Sequence, residues 1–454
     1  MDPSQSQQRI EAALKLASDT RVLRLGRGAV RETGEIFRAC FGSRSAVVVA
    51  DANTFAAAGR DVLDALVRAG VATNEPIILD DPELHADYRH VEHLQQRFAA
   101  NEAVPVAAGS GTINDLTKLA AHLCGRGYMA VATAASMDGY TAYGASITRH
   151  GWKQTIFCPA PVAVIADLDV ISASPGEMNA AGYADLIAKV PAGADWMIAD
   201  ALGVEPIDPQ AWSMVQDALK AWVARPDAVR RGDFDAIAGQ MEGLLMTGFA
   251  MQWCKSSRPA SGAEHQFSHL WDMQGHRYDG RTVLHGFKVA IGTLASTRLY
   301  EELLQRPLEL LDIDGVCRAW PDAAGLEDAV IRTHELEQIR TVARQEMKAK
   351  YVSRDELAAR LGRLQSVWPE LRRRLQAYLI PADALQAMLR EAGAPETPAQ
   401  IGIDLDRLRR SYYEAQQIRR RFTVLDLAMQ TGLMDDCIER LFAPDGAWTR
   451  AVDR

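Results

Sequence analysis

Short apolar, β-branched runs alternate with helix-patterned segments along the first 170 residues of this chain, and then they stop. The runs are Ala46 to Ala50 (AVVVA), Pro76 to Leu79 (PIIL), Val104 to Ala108 (VPVAA), Tyr128 to Thr133 (YMAVAT) and Pro161 to Asp167 (PVAVIAD). Between them lie segments such as Ala57 to Ala69 and Asp87 to Ala100, whose apolar residues recur three and four apart, the period of an amphipathic helix. Strands that alternate with helices predict a mainly parallel, doubly wound sheet. From about Ser172 onward the patterns are helical, rich in Ala, Leu, Arg and Glu, with almost no strand-like run. The expected architecture is therefore an α/β domain over residues 1–170 followed by an all-α domain over 171–454. Ligands of such pairs commonly sit outside the carboxyl ends of the strands, in the cleft between domains.

The 454 residues, 48% of them hydrophobic and 24% charged, suffice for a large buried core. Fifty Lys and Arg against 59 Asp and Glu leave a formal charge of −9, which removes the electrostatic reason to expect nucleic acid or an anionic membrane as partner. An anionic ligand would have to be caught by local cations. The polar start MDPSQSQQRIEAALKL reads as a short unstructured end running into an amphipathic helix, not as a secretory signal. No apolar stretch approaches the roughly 20 residues needed to span a bilayer. Six cysteines without framework spacing point to reduced thiols and a cytoplasmic protein.

Three segments carry residue types suited to chemistry. Val104 to Ala108 runs into Gly109-Ser110-Gly111-Thr112-Ile113-Asn114-Asp115 and then a helical LTKLAAHL, so backbone N–H groups at a helix start could approach a phosphate. Asn114 stands where a dinucleotide fingerprint would have its third Gly, and a plain tight turn remains an alternative. Thr133-Ala134-Ala135-Ser136-Met137-Asp138-Gly139 follows another strand and suits contacts to a diphosphate and a substrate hydroxyl. A helix start capped by Ser136 or Asp138 is the alternative there. In the helical half, Asp185 and Lys189 share a helical face at i, i+4, and a surface ion pair would explain them as well. His265 and His269 are likewise i, i+4, and His285 follows in LHGFKV. One carboxylate and two imidazoles could hold a divalent ion with open positions. The other histidines, at 85, 90, 93, 122, 150, 276 and 334, read as solvated or packed.

GSGTIND, TAASMDGY, KQTIFCPAPVAVIADLDVI, AAGYADLIAK, SGAEHQFSH and LHGFKVAIGTL occur in the order that resembles the sn-glycerol-1-phosphate dehydrogenase family, within the iron-containing alcohol dehydrogenase and dehydroquinate synthase-like superfamily. The resemblance runs from about Ser45 to Leu427 and includes AGAPETPAQIGI and IRRRFTVLDLA. It implies that Asp185, His265 and His285 bind a metal, zinc first with nickel or iron as alternatives. It implies that His269 and Asp138 face the substrate, and that Gly109, Ser110, Gly111, Thr112, Ile113, Thr133, Ala134, Ala135 and Ser136 hold NAD or NADP. Asp51, just after the first run, looks like the acidic residue that contacts the adenosine ribose, which favours NAD. Ser110, Ala135 and Ala142 stand where the family commonly has Gly, Pro and Ser.

The implied reaction is reduction of dihydroxyacetone phosphate to sn-glycerol 1-phosphate by hydride transfer; Lys189 and Lys288 are the nearest cations in sequence to the metal motifs, and one of them is expected to help hold the phosphate. Another polyol or polyol phosphate is the alternative substrate, and a homo-oligomer is open. A dehydroquinate synthase-like lyase would share fold and cofactors, but its extended Lys, Arg and Asn set is not evident. A non-catalytic binding role for Arg372-Arg373-Arg374 and Arg419-Arg420-Arg421 competes with solvated or salt-bridged helix faces.

Overall fold

Six strands form one parallel sheet: β1 (Val22–Gly26), β2 (Ala46–Ala50), β3 (Ile77–Ile78), β4 (Val104–Gly109), β5 (Met129–Ala132) and β8 (Ala163–Asp167). Their order across the sheet is β1-β8-β5-β4-β2-β3, with every neighbouring pair parallel. This computed structural model describes residues 3–149 and 152–452. Strands β2, β4, β5 and β8 are buried along their whole length, because helices cover both faces. That is why AVVVA and its counterparts are continuous apolar runs instead of alternating ones. Val48, Val106, Val131 and Ile165, one from each central strand, meet in a single cluster with Phe37, Val62 and Leu66.

The chain passes from β2 outward to β3 and then returns to β4 on the other side of β2. The direction of winding therefore reverses between β2 and β4, where helices leave to opposite faces and open a crevice at the carboxyl ends. Asp51, the glycine segment and Thr133 all follow strands at or beside that point. The five sequence runs correspond to β2, β3, β4, β5 and β8. Strand β1, VLRLG, escaped the pattern because it is a sheet edge whose apolar run is interrupted by Arg24. An antiparallel pair, β6 (Ala145–Arg149) and β7 (Trp152–Ile156), was likewise not expected, its polar alternation ASITR and WKQTI lacking an apolar run.

The chain falls into two compact units. One comprises residues 1–186, 209–260 and 391–393; the other comprises 187–208, 261–390 and 394–454. The first holds the sheet, the Gly176–Ile187 helix and the 21-residue Phe234–Cys254 helix. The second is helical except for β9 (Arg277–Tyr278) and β10 (Arg281–Thr282), paired around Asp279 and Gly280. Both turn residues have positive φ, 48° and 73°, the requirement of a two-residue hairpin. The loss of strands after residue 170 is as read from the sequence, but the first unit recruits helices from far beyond that point.

Among the described residues no helix is long and apolar enough to cross a membrane. In the second unit Arg420 grips Glu346 through Nε and Nη2 at 3.0 and 2.8 Å, and Arg373 pairs with Glu370 at 2.7 Å. The two basic runs thus contain salt-bridged arginines. His85, His93 and His122 are exposed, whereas His276 and His334 are packed; His150 lies outside the described residues.

Burial holds the His334 imidazole neutral, its pKa pushed down to about 4 from 6.5. Between those values the unfolded chain takes up a proton that the folded chain refuses. This contribution to stability is complete above about pH 6.5 and is lost as the pH falls toward about 4. Urea midpoints measured near pH 7.5 and near pH 5 should differ less in His334→Gln than in the native sequence.

Candidate active site

On the first unit, β4 turns directly into the Gly111–Leu123 helix through Ser110. A side chain at Gly109 would put its Cβ 2.5 Å from that of Ile113, so the strand can meet the helix this closely only with glycine there. At Gly111 a Cβ would stand 3.0 Å from Met137. The first intrahelical backbone bond is donated by Asn114 to the Ser110 carbonyl, and Ser110 makes no side-chain cap. The N–H groups of Gly111, Thr112 and Ile113 therefore point outward at a helix start, the arrangement that receives a phosphate.

Residues 133–144 form an irregular segment after β5, so the capped-helix alternative for Ser136 and Asp138 does not hold. Thr133 N–H donates to the Gly109 carbonyl at 3.2 Å, and the Tyr140 hydroxyl donates to the Ala134 carbonyl at 2.9 Å. The first bond ties the two strand-end segments together, and the second folds the later segment on itself. Gln240, from the long Phe234–Cys254 helix, donates to the Ala135 carbonyl at 2.8 Å. Asp138 offers its backbone N–H to Asp185 Oδ2 at 3.1 Å. Asp51 has local work as well: Oδ1 accepts from the N–H groups of Asn53 and Thr54 at 2.8 and 3.0 Å, capping a short helix.

Lys118 was not singled out from the sequence, where it is one lysine in a helical stretch. Its ammonium is buried and donates to the carbonyls of Gly139, Ala142 and Gly144 at 2.9, 3.0 and 3.0 Å. It therefore pins the far end of the segment that carries Asp138. Asp115 lies 3.7 Å from Lys118 and accepts the Ser146 N–H at 3.0 Å; burial raises its pKa while the Lys118 charge opposes the rise.

In the second unit three imidazoles gather. His265 and His269 lie on the Ala263–Met273 helix, and His285 opens the His285–Leu304 helix. Ring centroids are 5.3 Å apart for His265 and His285, 6.2 Å for His265 and His269, and 6.3 Å for His269 and His285. The helices can approach because a Cβ at Gly292 would come within 2.2 Å of the Glu264 carbonyl oxygen. Asp195 fixes the start of the first helix, accepting the Ala263 N–H at 2.7 Å through Oδ2 and the Tyr300 hydroxyl at 2.6 Å through Oδ1. His265 Nδ1 is 2.8 Å from Glu264 Oε1, and His285 Nδ1 is 3.3 Å from the Ser268 hydroxyl.

Asp185 sits in the last turn of the Gly176–Ile187 helix and is fully buried, as is Lys189, so a surface ion pair does not describe them. One ligand atom from each of Asp185, His265 and His285 lies within 4.8 Å of the others. A hard carboxylate oxygen with two imidazoles is a donor set for a divalent transition metal, and three protein ligands leave positions for substrate. Lys288 is committed to an ion pair with Asp272.

Compared with known proteins, residues 24–175 match the family model described as iron-containing alcohol dehydrogenase. Glycerol-1-phosphate dehydrogenase [NAD(P)+] of Halalkalibacterium halodurans is 35% identical over 295 residues, 64% of this chain and 74% of that protein. The enzyme of the same name from Geobacillus thermodenitrificans is 31% identical over 395 residues, 86% of this chain and 88% of that protein. Among solved structures, a probable glycerol dehydrogenase from Sinorhizobium meliloti gives a TM-score of 0.62 at 16% identity, covering 96% of this chain and 99% of that one. Sulfoacetaldehyde reductase from Bifidobacterium kashiwanohense, solved with NAD+, gives 0.60 at 15%, covering 94% and 98%.

Lys118→Met removes the ammonium that donates to the carbonyls of Gly139, Ala142 and Gly144 and faces Asp115, and should cost about 3–5 kcal/mol of stability, the range for breaking a buried ionic contact from one side. NADH binding, followed by fluorescence titration, should weaken with it. A variant of native stability and affinity would show that Lys118 does not hold the loop.

Proposed function

The chain belongs to the glycerol-1-phosphate dehydrogenase family, and from that membership and the Asp-His-His donor set we propose that it reduces dihydroxyacetone phosphate to sn-glycerol 1-phosphate with NADH or NADPH. The proximity of ligand atoms from Asp185, His265 and His285 carries this reading. We assign those three residues to a divalent ion, zinc first among zinc, nickel and iron. When bound, the ion supplies Lewis acidity at the carbonyl and the nicotinamide supplies hydride.

The protein's own residues do the rest. Gly109 to Ile113 receive the cofactor diphosphate on outward N–H groups, and Thr133, Ala134, Ala135 and Ser136 line the nicotinamide side. Support comes from the side-chain-free backbone at Gly109 and Gly111 and from the bonds that join the two segments. Asp51 takes the adenosine ribose with Oδ2, since its Oδ1 is engaged in capping. A carboxylate there accepts from ribose hydroxyls and repels a 2′-phosphate, which favours NAD.

His269 and Asp138 face the substrate. His269 shares a helical face with His265 one turn away, a position from which its imidazole can hold a substrate hydroxyl or pass a proton through water. We assign the substrate phosphate to Lys189, which is fully buried and lies four residues after Asp185. A buried ammonium attracts a phosphate strongly, and this local charge would offset the net −9 of the chain.

Oxidation of NADH and of NADPH should be followed with dihydroxyacetone phosphate, dihydroxyacetone and glycolaldehyde in parallel. The expected result is turnover of the phosphorylated ketone, faster with NADH, and its loss together with bound metal in His265→Ala. Activity with unphosphorylated ketones alone would replace the substrate, and turnover without net change in nicotinamide absorbance would point to lyase chemistry.

A further inference from the structure

We infer that Glu264 is a positioning residue that fixes the ring state of His265 and thereby sets the metal affinity of the site, at a cost to the stability of the metal-free protein. The inference rests on the metal assignment proposed above.

Glu264 is fully buried in the first turn of the Ala263–Met273 helix. Its Oε1 accepts two bonds, from the Gly262 N–H at 2.6 Å and from His265 Nδ1 at 2.8 Å. A carboxylate oxygen can only accept, so this contact places the ring hydrogen on Nδ1 and leaves the Nε2 lone pair for a metal. The acceptor also makes the imidazole a stronger ligand and holds its plane. The partner of His285 differs in kind. Ser268 can either donate or accept, and its hydroxyl lies 3.3 Å from Nδ1, so it imposes no ring state.

The second carboxylate oxygen, Oε2, is buried and has no hydrogen-bond partner among the described residues. The wall around it is tight: a side chain at Gly262 would come within 2.9 Å of Oε2. A buried negative charge satisfied on one oxygen is a poor stabilising device. It is a good one for a site that will receive a divalent cation, because the bound ion compensates the charge. Glu264 therefore trades stability of the apo-protein for metal affinity.

The replacement Glu264→Gln keeps the shape and removes the charge. Zinc affinity should be measured by competition with a chromophoric chelator, and unfolding midpoints of both metal-free proteins by calorimetry. The expected result is affinity weaker by about 10–100-fold, with an apo midpoint equal to or above that of the native sequence. Affinity within about twofold of native would overturn the proposal, and so would an apo midpoint that falls, since that assigns Glu264 to structure. Histidine-selective ¹⁵N spectra of the native apo-protein give a readout that needs no stable variant. The His265 signal, identified by its loss in His265→Ala, should show a protonated Nδ1; a protonated Nε2 in the neutral ring contradicts the proposal. His265→Ala also separates the two levels of argument. If it binds zinc with native affinity, the metal assignment itself fails, whatever Glu264→Gln does.

Discussion

A side chain at Gly292 would come within 2.2 Å of the Glu264 carbonyl oxygen, and the site depends on that missing side chain. It lets the two histidine-bearing helices close until the rings of His265 and His285 are 5.3 Å apart. Everything around the contact keeps it in register. Asp195 holds the first N–H of one helix and the Tyr300 hydroxyl of the other, so a single buried carboxylate spans both. The Asp279-Gly280 hairpin between them has the tight turn that an antiparallel return requires. Packing, not hydrogen bonding to a ligand, thus brings the imidazoles together before any ion arrives.

Under the function proposed above, the first unit answers a different problem, the approach of a polyanionic cofactor to an acidic protein. It does so with backbone. Parallel strands bring their carboxyl ends to one edge, and the glycine segment at the winding reversal between β2 and β4 exposes the N–H groups of a 13-residue helix. Side chains serve mainly to hold that backbone still. Tyr140 and Gln240 tie the segment after β5, and the Lys118 ammonium gathers three carbonyls beyond it. The Lys118 ammonium is thus engaged in holding backbone.

Much of this was legible in the sequence, and the reasons are physical. Buried parallel strands must be continuously apolar, so β2, β4, β5 and β8 announced themselves, whereas the edge strand β1 and the polar pair β6 and β7 did not. Glycines between a strand and a helix have few other uses, which made Gly109 and Gly111 visible. His265 and His285 stood out because of motif order, since spacing could not separate them from eight other histidines. The supporting residues left no such trace. Lys118 and Asp195 act through backbone carbonyls and N–H groups far away in sequence, and Glu264 looks like an ordinary helix-start acid until its neighbour's ring is in place. Asp51 stands out as an acid after a strand, and Asp-x-x-Thr spells its capping of the next turn as well.

In the function proposed above, one divalent ion is held by Asp185, His265 and His285. Anomalous X-ray scattering from crystals of the purified, active protein tests it most directly. One peak per chain is expected at the absorption edge of zinc, nickel or iron, within bonding distance of those three side chains. Full activity in protein whose crystals show no such peak, or a single ion bound by other residues, would contradict it.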